Sequence, residues 1–240
     1  MNARCGAAAT MVWGAPDVVR PVDEAALRPV PDLEAWVAAL APEQRVDLQG
    51  RTETQLLPGE PVRVVDIAGA WSQVVVPGQA TAKSPEGYPG WVLTAHLTAD
   101  EGEPVPPGPG PALGATTLDA LDAAARLLGT PYVWGACGAG GIDCSGLVLA
   151  AHRGLGLPVP RDARDQRTAV TEVALDERRR GDLVFFARPG KAVHHVGFVA
   201  GDGLLLHASM GAGRGSVECV PTPEEYAATL VAAGRFLPAA

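Results

Sequence analysis

Short apolar runs, broken by glycine and proline, fill the first hundred positions of the chain. Four of them are predicted to be strands, because β-branched and apolar residues fill them and turn dipeptides separate them. They lie at 56–57, 62–67, 71–76 and 90–93. This spacing predicts a small β-barrel. Ahead of it, residues 31–40 carry their apolar positions on one stripe, which predicts a short amphipathic helix.

The rest of the chain predicts longer elements. After Thr116, apolar residues recur at helical spacing as far as Leu128, which indicates a helix with one buried side. A second helix is predicted to begin at Cys144 and to end at the following glycines and proline. Two strand-like runs follow at 192–199 and 204–208, and the Gly-Asp-Gly turn between them indicates a hairpin.

Shifts in composition divide the chain into four predicted segments. A cap segment with the short helix covers 1–48 and is expected to pack on one of its neighbours, and the barrel covers 49–98. Residues 99–115 are rich in proline and glycine, which is typical of a stiff linker. A larger domain of α+β class covers 116–240.

A cysteine at a helix start, followed by two histidines on strands, suggests nucleophilic catalysis. Unpaired N–H groups and the helix dipole favour a thiolate at Cys144, with Asp143 as the candidate N-cap. His195 and His207 supply the types needed for a base and an orienting group. Each residue alone also fits a structural role as a buried side chain. Strand alternation places His194 and His195 on opposite faces without deciding which one faces the cysteine.

Composition argues against several classes of partner and cofactor. The 240 residues have a formal net charge of -8 and a pI near 5.1, and their 19 Lys and Arg are dispersed. Neither a basic block for nucleic acid nor an apolar run of the ~18 residues that span a membrane is present, and an acidic surface disfavours membranes. The four cysteines form no C-x-x-C pair, which argues against a zinc site and a disulfide framework. We therefore expect no metal and no cofactor.

The first 13 residues make a poor signal peptide. They contain one basic residue and no apolar core of the ~7–15 residues that such a peptide needs. Cysteines expected to stay reduced also fit a cytoplasmic setting. A cytoplasmic location is therefore expected.

Residues 116–240 resemble an NlpC/P60 cysteine peptidase domain. Five stretches carry the resemblance in order, at 129–135, 141–148, 180–186, 195–199 and 207–209. The resemblance implies a papain-like fold and cleavage of peptidoglycan peptides by a Cys-His-His triad. It implies that Cys144 is the nucleophile, that His195, which directly precedes Val-Gly, is the base, and that His207 orients it. Tyr132 matches a tyrosine beside the oxyanion site.

The barrel resembles a bacterial SH3-like domain, and the whole chain is similar to the YkfC-type gamma-D-glutamyl-L-diamino acid endopeptidases. Residues 53–60, 76–81 and 87–91 carry that likeness. In this branch the SH3-like domain closes one end of the cleft and helps to bind the free amine of L-Ala-γ-D-Glu.

The likeness implies specific substrate-binding residues, namely Glu53, Tyr88, Asp143, Ser145 and Asp162. An ammonium in a closed cleft requires oxygen acceptors, because an unpaired buried charge is costly. Plain structural roles also fit: a solvated strand residue for Glu53, a barrel-rim residue for Tyr88 and a helix cap for Asp143.

The resemblance implies a cysteine peptidase that cleaves the γ-D-Glu to diamino acid bond. The expected substrate is a murein tri- or tetrapeptide with a free N-terminal L-Ala, in cell-wall peptide recycling, with no nucleic-acid or membrane partner. Three alternatives stay open: a secreted endopeptidase acting on intact peptidoglycan, an acyltransferase, and a non-catalytic wall-binding protein. The chain departs from its relatives at Ala163, where many have serine, and it lacks room for a second SH3-like domain. His96 and His152 are assigned to the surface.

Overall fold

The computed structural model describes residues 1–99, 114–211 and 215–238, and the chain divides into two units. One unit contains residues 1–99 together with 131–143. The other contains 114–130 together with 144–211 and 215–238. Except at its ends, the linker predicted at 99–115 lies outside the described residues.

An antiparallel sheet of seven strands forms most of the first unit. In chain order its strands are β1 (Asn2–Cys5), β2 (Thr10–Trp13), β3 (Thr52–Leu56), β4 (Pro61–Ala68), β5 (Trp71–Val76), β6 (Tyr88–Leu93) and β7 (Leu97–Ala99). They lie side by side in the order β3-β2-β6-β5-β4-β1-β7. Strands β1 and β2 belong to the segment 1–48, so the sheet also draws on residues that precede the predicted barrel. The four segment boundaries stay predictions.

Two short helices and a small hairpin complete the first unit. They are α1 (Leu33–Ala39), α2 (Pro42–Val46), β8 (Cys137–Gly138) and β9 (Gly141–Ile142), and 3-10 turns lie at Pro16–Val18, Pro21–Leu27 and Thr94–His96. The helix predicted at 31–40 is confirmed as α1, whose first turn is capped by the Asp32 carboxylate. Trp36 packs against Trp13, with ring centroids 6.0 Å apart, and its indole N–H donates to the buried Asp23 carboxylate at 2.9 Å.

A six-stranded antiparallel sheet and four helices form the second unit. The strands are β10 (Thr171–Val173), β11 (Leu183–Phe186), β12 (His195–Gly201), β13 (Leu204–Ser209), β14 (Ser216–Pro221) and β15 (Leu230–Arg235). The helices are α3 (Thr117–Ala125), α4 (Cys144–Arg153), α5 (Ala163–Ala169) and α6 (Glu224–Ala227). The strand order is β10-β15-β11-β12-β13-β14, and α4 packs against α3, β12 and β13. The predicted α+β class is confirmed.

Several element ends differ from the sequence-based prediction. The strand predicted at 56–57 runs from Thr52 to Leu56, and the strand predicted to begin at 90 begins at Tyr88. The helix after Thr116 ends at Ala125, so Leu128 lies beyond it and is exposed. Strand β12 begins at His195, not at 192: a turn at Pro189 and Gly190 comes first, and residues 192–194 belong to no strand. Within the described residues, no helix is both long and apolar enough to cross a membrane.

The assignment of two histidines to the surface is wrong. His152 is buried on α4, where its Nδ1 donates to the Val148 carbonyl at 2.8 Å and its ring stacks on Phe198. His96 is buried as well, between the Thr10 hydroxyl and the Arg28 carbonyl, each 2.7 Å away. An imidazole is buried readily when its ring nitrogens are hydrogen-bonded, as both are in His96.

Candidate active site

Cys144 is the first residue of α4 and is buried, with 6% of its surface exposed. The predicted helix start is therefore confirmed, and the thiol lies where unpaired N–H groups and the helix dipole stabilise a thiolate. Burial raises the pKa of Tyr226, and the negative charge of Cys144 adds to that rise. The thiol and the Tyr226 phenol are thus within electrostatic reach of each other in the second unit.

His195 and His207 meet across the β12–β13 hairpin. His195 Nε2 and His207 Nδ1 share a hydrogen bond of 2.8 Å, and the two rings are nearly perpendicular at 83°. Gly197 makes this approach possible. A Cβ at Gly197 would lie 3.0 Å from His207 Cβ and 2.7 Å from Leu205 Cδ1, so a side chain there would displace both neighbours.

The pair is enclosed by aromatic rings and is held neutral. Tyr226 stacks on His195 with centroids 4.5 Å apart and planes 21° apart, while Phe186 packs at 5.7 Å. Burial lowers the pKa of His195 well below its usual 6.5, and positive charge on His207 and His194 lowers it further. Burial also lowers the pKa of His207 to about 4. Both imidazoles are therefore neutral near pH 7, which is the form that a general base requires.

The two adjacent histidines differ in exposure. His194 is exposed just before β12, whereas His195 is 5% exposed and faces His207. Of the two candidates, His195 is the one that the fold brings to the histidine pair.

Two side chains beside the pair were missed by the sequence reasoning. The Tyr226 hydroxyl shares a 2.9 Å hydrogen bond with Ser209 Oγ, which holds the phenol ring over His195. Glu218 lies on β14 directly opposite His207, with its Oε1 3.5 Å from His207 Nε2. Strand alternation around the buried Val217 could have predicted that Glu218 faces the opposite side of the sheet. The sequence does not show which strand pairs with β14, so it could not predict that Glu218 faces His207.

Ser145 and Asp162 come together around a buried arginine. Arg161 is 1% exposed, and its Nη1 donates to Ser145 Oγ at 2.9 Å. Gln166 donates from its Nε2 to the Ser145 carbonyl at 2.9 Å. Asp162 precedes α5 as its N-cap residue, and its carbonyl accepts from the Gln166 N–H. The start of α4 is thereby tied to the start of α5.

In the first unit, Glu53 and Tyr88 lie on either side of one cation. The Lys83 ammonium pairs with the Glu53 carboxylate and lies 4.6 Å from the centroid of the Tyr88 ring. A Cβ at Gly14 would lie 3.6 Å from Glu53 Oε1, and one at Gly90 would lie 3.7 Å from Glu53 Cβ. We call Glu53, Lys83 and Tyr88 the cation cluster.

Tyr132 and Asp143 lie on the loop that also carries β8 and β9. Tyr132 is buried and bridges to Ile142, the residue before Asp143. Asp143 Oδ2 accepts from the Gly135 N–H at 2.8 Å. The first unit therefore holds four predicted site residues, Glu53, Tyr88, Tyr132 and Asp143, and the other five lie in the second unit. No group of three or more possible metal ligands occurs among the described residues.

Known proteins resemble the chain over nearly its whole length. Residues 129–233 match the NlpC/P60 family, and residues 45–97 match the bacterial dipeptidyl-peptidase Sh3 domain. A gamma-D-glutamyl-L-lysine dipeptidyl-peptidase of Bacillus subtilis (strain 168) is 31% identical over 260 aligned positions, which cover 82% of this chain and 86% of that protein. The chain belongs to the NlpC/P60 family of cell-wall cysteine peptidases.

Two Bacillus cereus proteins extend the comparison. A gamma-D-glutamyl-L-lysine dipeptidyl-peptidase of strain ATCC 10987 is 30% identical, with 96% of this chain and 89% of that protein covered. The crystal structure of an NlpC/P60 family protein from the same strain matches the peptidase with a TM-score of 0.91 at 26% identity, over 99% of this chain and all of that one. The predicted fold, an NlpC/P60 domain with an N-terminal SH3-type domain, is confirmed. The roles of individual residues stay predictions.

Proposed function

We propose that the peptidase cleaves the bond between γ-D-Glu and a diamino acid in peptidoglycan-derived peptides with a free N-terminal L-Ala. The observation that carries this proposal is the similarity of nearly the whole chain to two proteins named gamma-D-glutamyl-L-lysine dipeptidyl-peptidases. An enzyme that releases a dipeptide must recognise a free amine two residues before the bond it cuts. The proposal therefore requires a site for an ammonium group.

The cation cluster supports such a site. The Lys83 ammonium already rests between the Glu53 carboxylate and the Tyr88 ring, so these two side chains accommodate a primary ammonium. A carboxylate gives a charge-assisted hydrogen bond, and an aromatic face attracts a cation. In our proposal the α-ammonium of L-Ala takes this place, with Asp143 as a further acceptor.

The proposed reaction is acyl transfer to sulfur. Cys144 gives its thiol proton to His195 Nδ1, because His195 Nε2 is engaged by His207. The thiolate attacks the γ-carbonyl carbon of D-Glu, and the Cys144 N–H and the Tyr132 hydroxyl stabilise the oxyanion. The C–N bond then breaks as His195 protonates the leaving amine. Water hydrolyses the thioester and restores the Cys144 thiol.

In our proposal, the requirement for a free N-terminal L-Ala determines which peptides the enzyme meets and where. In intact peptidoglycan the stem L-Ala is amide-linked to muramic acid, so a free amine arises only after the peptide has been released. We therefore propose a role in the recycling of released peptides in the cytoplasm. The residue after γ-D-Glu is then the L-lysine of the relatives' names or another diamino acid.

Acetylation of the substrate amine tests the proposal. L-Ala-γ-D-Glu-L-Lys and its N-acetyl form are compared by kcat/KM. Loss of one charge-assisted hydrogen bond costs roughly 1.5–3 kcal/mol, so the acetylated peptide should react about 10- to 150-fold more slowly. Glu53→Gln should bring the kcat/KM values of the free and the acetylated peptide closer together. Glu86→Gln, which removes an exposed charge paired with Arg63 in the same unit, is the control and should leave the ratio unchanged.

The secreted alternative predicts the opposite result. An endopeptidase for intact walls would digest purified sacculi and would cleave the acetylated peptide at least as fast as the free one. Either outcome would refute the proposed substrate. The cysteine peptidase chemistry would be unaffected, because it rests on the family and not on the ammonium site.

A further inference from the structure

An acidic side chain on the edge of the second sheet faces the histidine pair. Glu218 on β14 and His207 on β13 are direct cross-strand partners, and Glu218 Oε1 lies 3.5 Å from His207 Nε2. Although β14 is an edge strand, the Glu218 side chain is only 13% exposed. Both atoms are buried, and within the described part of the chain neither has a hydrogen-bond partner. A small shift of the carboxylate would satisfy both, and catalytic hydrogen bonds often tighten only when substrate binds.

The contact between the two imidazoles restricts where their protons lie. In the neutral pair, one proton occupies the 2.8 Å contact between His195 Nε2 and His207 Nδ1. His195 can take the thiol proton on Nδ1 only if its own proton is on Nε2. His207 must then accept at Nδ1 and carry its proton on Nε2, which is the nitrogen that faces Glu218.

A carboxylate opposite His207 Nε2 favours the arrangement in which that nitrogen carries the proton. An ionised carboxylate only accepts hydrogen bonds, so it favours an N–H opposite it and repels the lone pair of a bare ring nitrogen. We propose that Glu218 is a positioning residue of the peptidase: it holds His207 as the Nε2–H tautomer and thereby keeps His195 Nδ1 ready to accept the Cys144 proton. During proton transfer the proton on His195 Nε2 stays in place and no proton passes to Glu218. Its negative charge also stabilises the imidazolium that forms on His195.

Other ionisable groups around the pair act differently. Burial raises the pKa of Tyr226, so its phenol is neutral at pH 7 and brings no charge to the His195 ring on which it stacks. His194 is exposed on the loop before β12. Glu225 on α6 acts electrostatically on Tyr226, as Glu218 does, but Glu225 is exposed and screened by solvent. Loss of charge at 225 is therefore a matched control for loss of charge at 218.

Kinetics of three variants test the role of Glu218. Glu218→Gln removes the charge but keeps an acceptor, Glu218→Leu removes both, and Glu225→Gln is the control. With L-Ala-γ-D-Glu-L-Lys, kcat should fall about 10-fold for Gln and about 100-fold for Leu, the range found when the partner that orients a metal-binding histidine is lost. KM should stay within about twofold, because Glu218 is proposed to act through His207 and not on substrate. The acidic limb of the kcat profile should move to lower pH in both Glu218 variants, because an imidazolium that has lost a stabilising anion gives up its proton at lower pH.

Two readouts do not depend on the substrate. Alkylation of Cys144 by iodoacetamide, followed on its peptide by mass spectrometry, should slow in the Glu218 variants near neutral pH and stay unchanged in Glu225→Gln. Nitrogen NMR of protein labelled at its five histidines reports each ring's tautomer directly. Wild type and Glu218→Gln should show Nε2–H at His195 and His207, and Glu218→Leu should show Nδ1–H.

The possible outcomes separate the explanations. Wild-type kcat and pH profile in Glu218→Leu would overturn the proposal, and so would a loss of activity in Glu218→Leu with both Nε2–H tautomers retained in that variant. If Glu218→Leu does not fold, an unchanged alkylation rate and pH profile in Glu218→Gln overturns it. Failure of wild type to cleave the tripeptide would refute the proposed substrate, while alkylation and NMR would still test Glu218.

Discussion

Replacing Lys83 by methionine tests the cation cluster through its present occupant. The Lys83 ammonium pairs with Glu53 and lies over the Tyr88 ring. If the L-Ala ammonium binds there, it must displace Lys83 or share Glu53 with it. Methionine keeps an unbranched apolar side chain of similar length but cannot compete for the carboxylate. Lys83→Met should therefore bind a free-amine peptide more tightly than wild type does.

The exposure of the ion pair sets the size of the effect. The Lys83 and Glu53 side chains are 38% and 25% exposed, and pairs at such sites contribute about 0–1 kcal/mol. The contact of the ammonium with the aromatic ring adds about 0.5–1 kcal/mol. Displacement of Lys83 thus costs up to about 2 kcal/mol, which corresponds to at most about a 30-fold lower KM in Lys83→Met. The value of kcat should not change, because the cluster does not take part in the chemistry.

Initial rates with the free and N-acetylated tripeptides check this prediction. The KM of the free peptide should fall, whereas that of the acetylated peptide, which has no ammonium, should not. Arg63→Met, which removes another exposed cation of the same unit, should change neither value. A higher KM for the free peptide would mean that Lys83 itself binds substrate. Equal changes for both peptides would refute competition at Glu53.

Three further predictions concern Cys144, Gly197 and His152. Cys144→Ala should abolish tripeptide cleavage and Cys137→Ala should retain it, and the reverse result in the same assay would overturn the assignment. Gly197→Ala should lower kcat by at least about 10-fold, because the added Cβ would lie 3.0 Å from His207 Cβ, and unchanged rates would contradict this. Burial lowers the pKa of His152 to about 4. Between pH 6.5 and 4, His152 therefore binds a proton in the unfolded chain but not in the folded one, so the free energy of unfolding falls as pH falls. In urea titrations, the free energy of unfolding should fall between pH 7 and 5 by about 2 kcal/mol more in wild type than in His152→Leu. Equal decreases in the two proteins would refute this prediction.

Features that depend on neighbouring residues were predicted well from the sequence. The apolar stripe of 31–40 became α1, and the glycine turn at 201–203 became the β12–β13 hairpin. The start of α4 at Cys144 was also correct, because helix signals lie within a few residues of the helix end. Cys144, His195 and His207 were named from short motifs that resemble the NlpC/P60 family, and their roles stay predictions.

Features that depend on distant residues could not be predicted. His96 looked like a surface residue at the end of the barrel, yet Thr10 and Arg28 satisfy its ring. His152 looked like an exposed helix residue, yet β12 supplies Phe198 for it to stack on. In each case the cost of burying an imidazole is offset by partners that no local pattern reveals.

The chemistry of the histidine pair depends on strand register more than on residue type. His195 and His207 reach each other because β12 and β13 place them on one face, with Gly197 between them. Glu218 faces His207 because β13 and β14 pair in one particular register. A slip of one residue between β13 and β14 would turn Glu218 to the other face and leave His207 Nε2 opposite an apolar side chain. In our proposal the motif supplies the nucleophile and the base, while the pairing of an edge strand, which the motif does not show, determines which nitrogen of the base carries the proton.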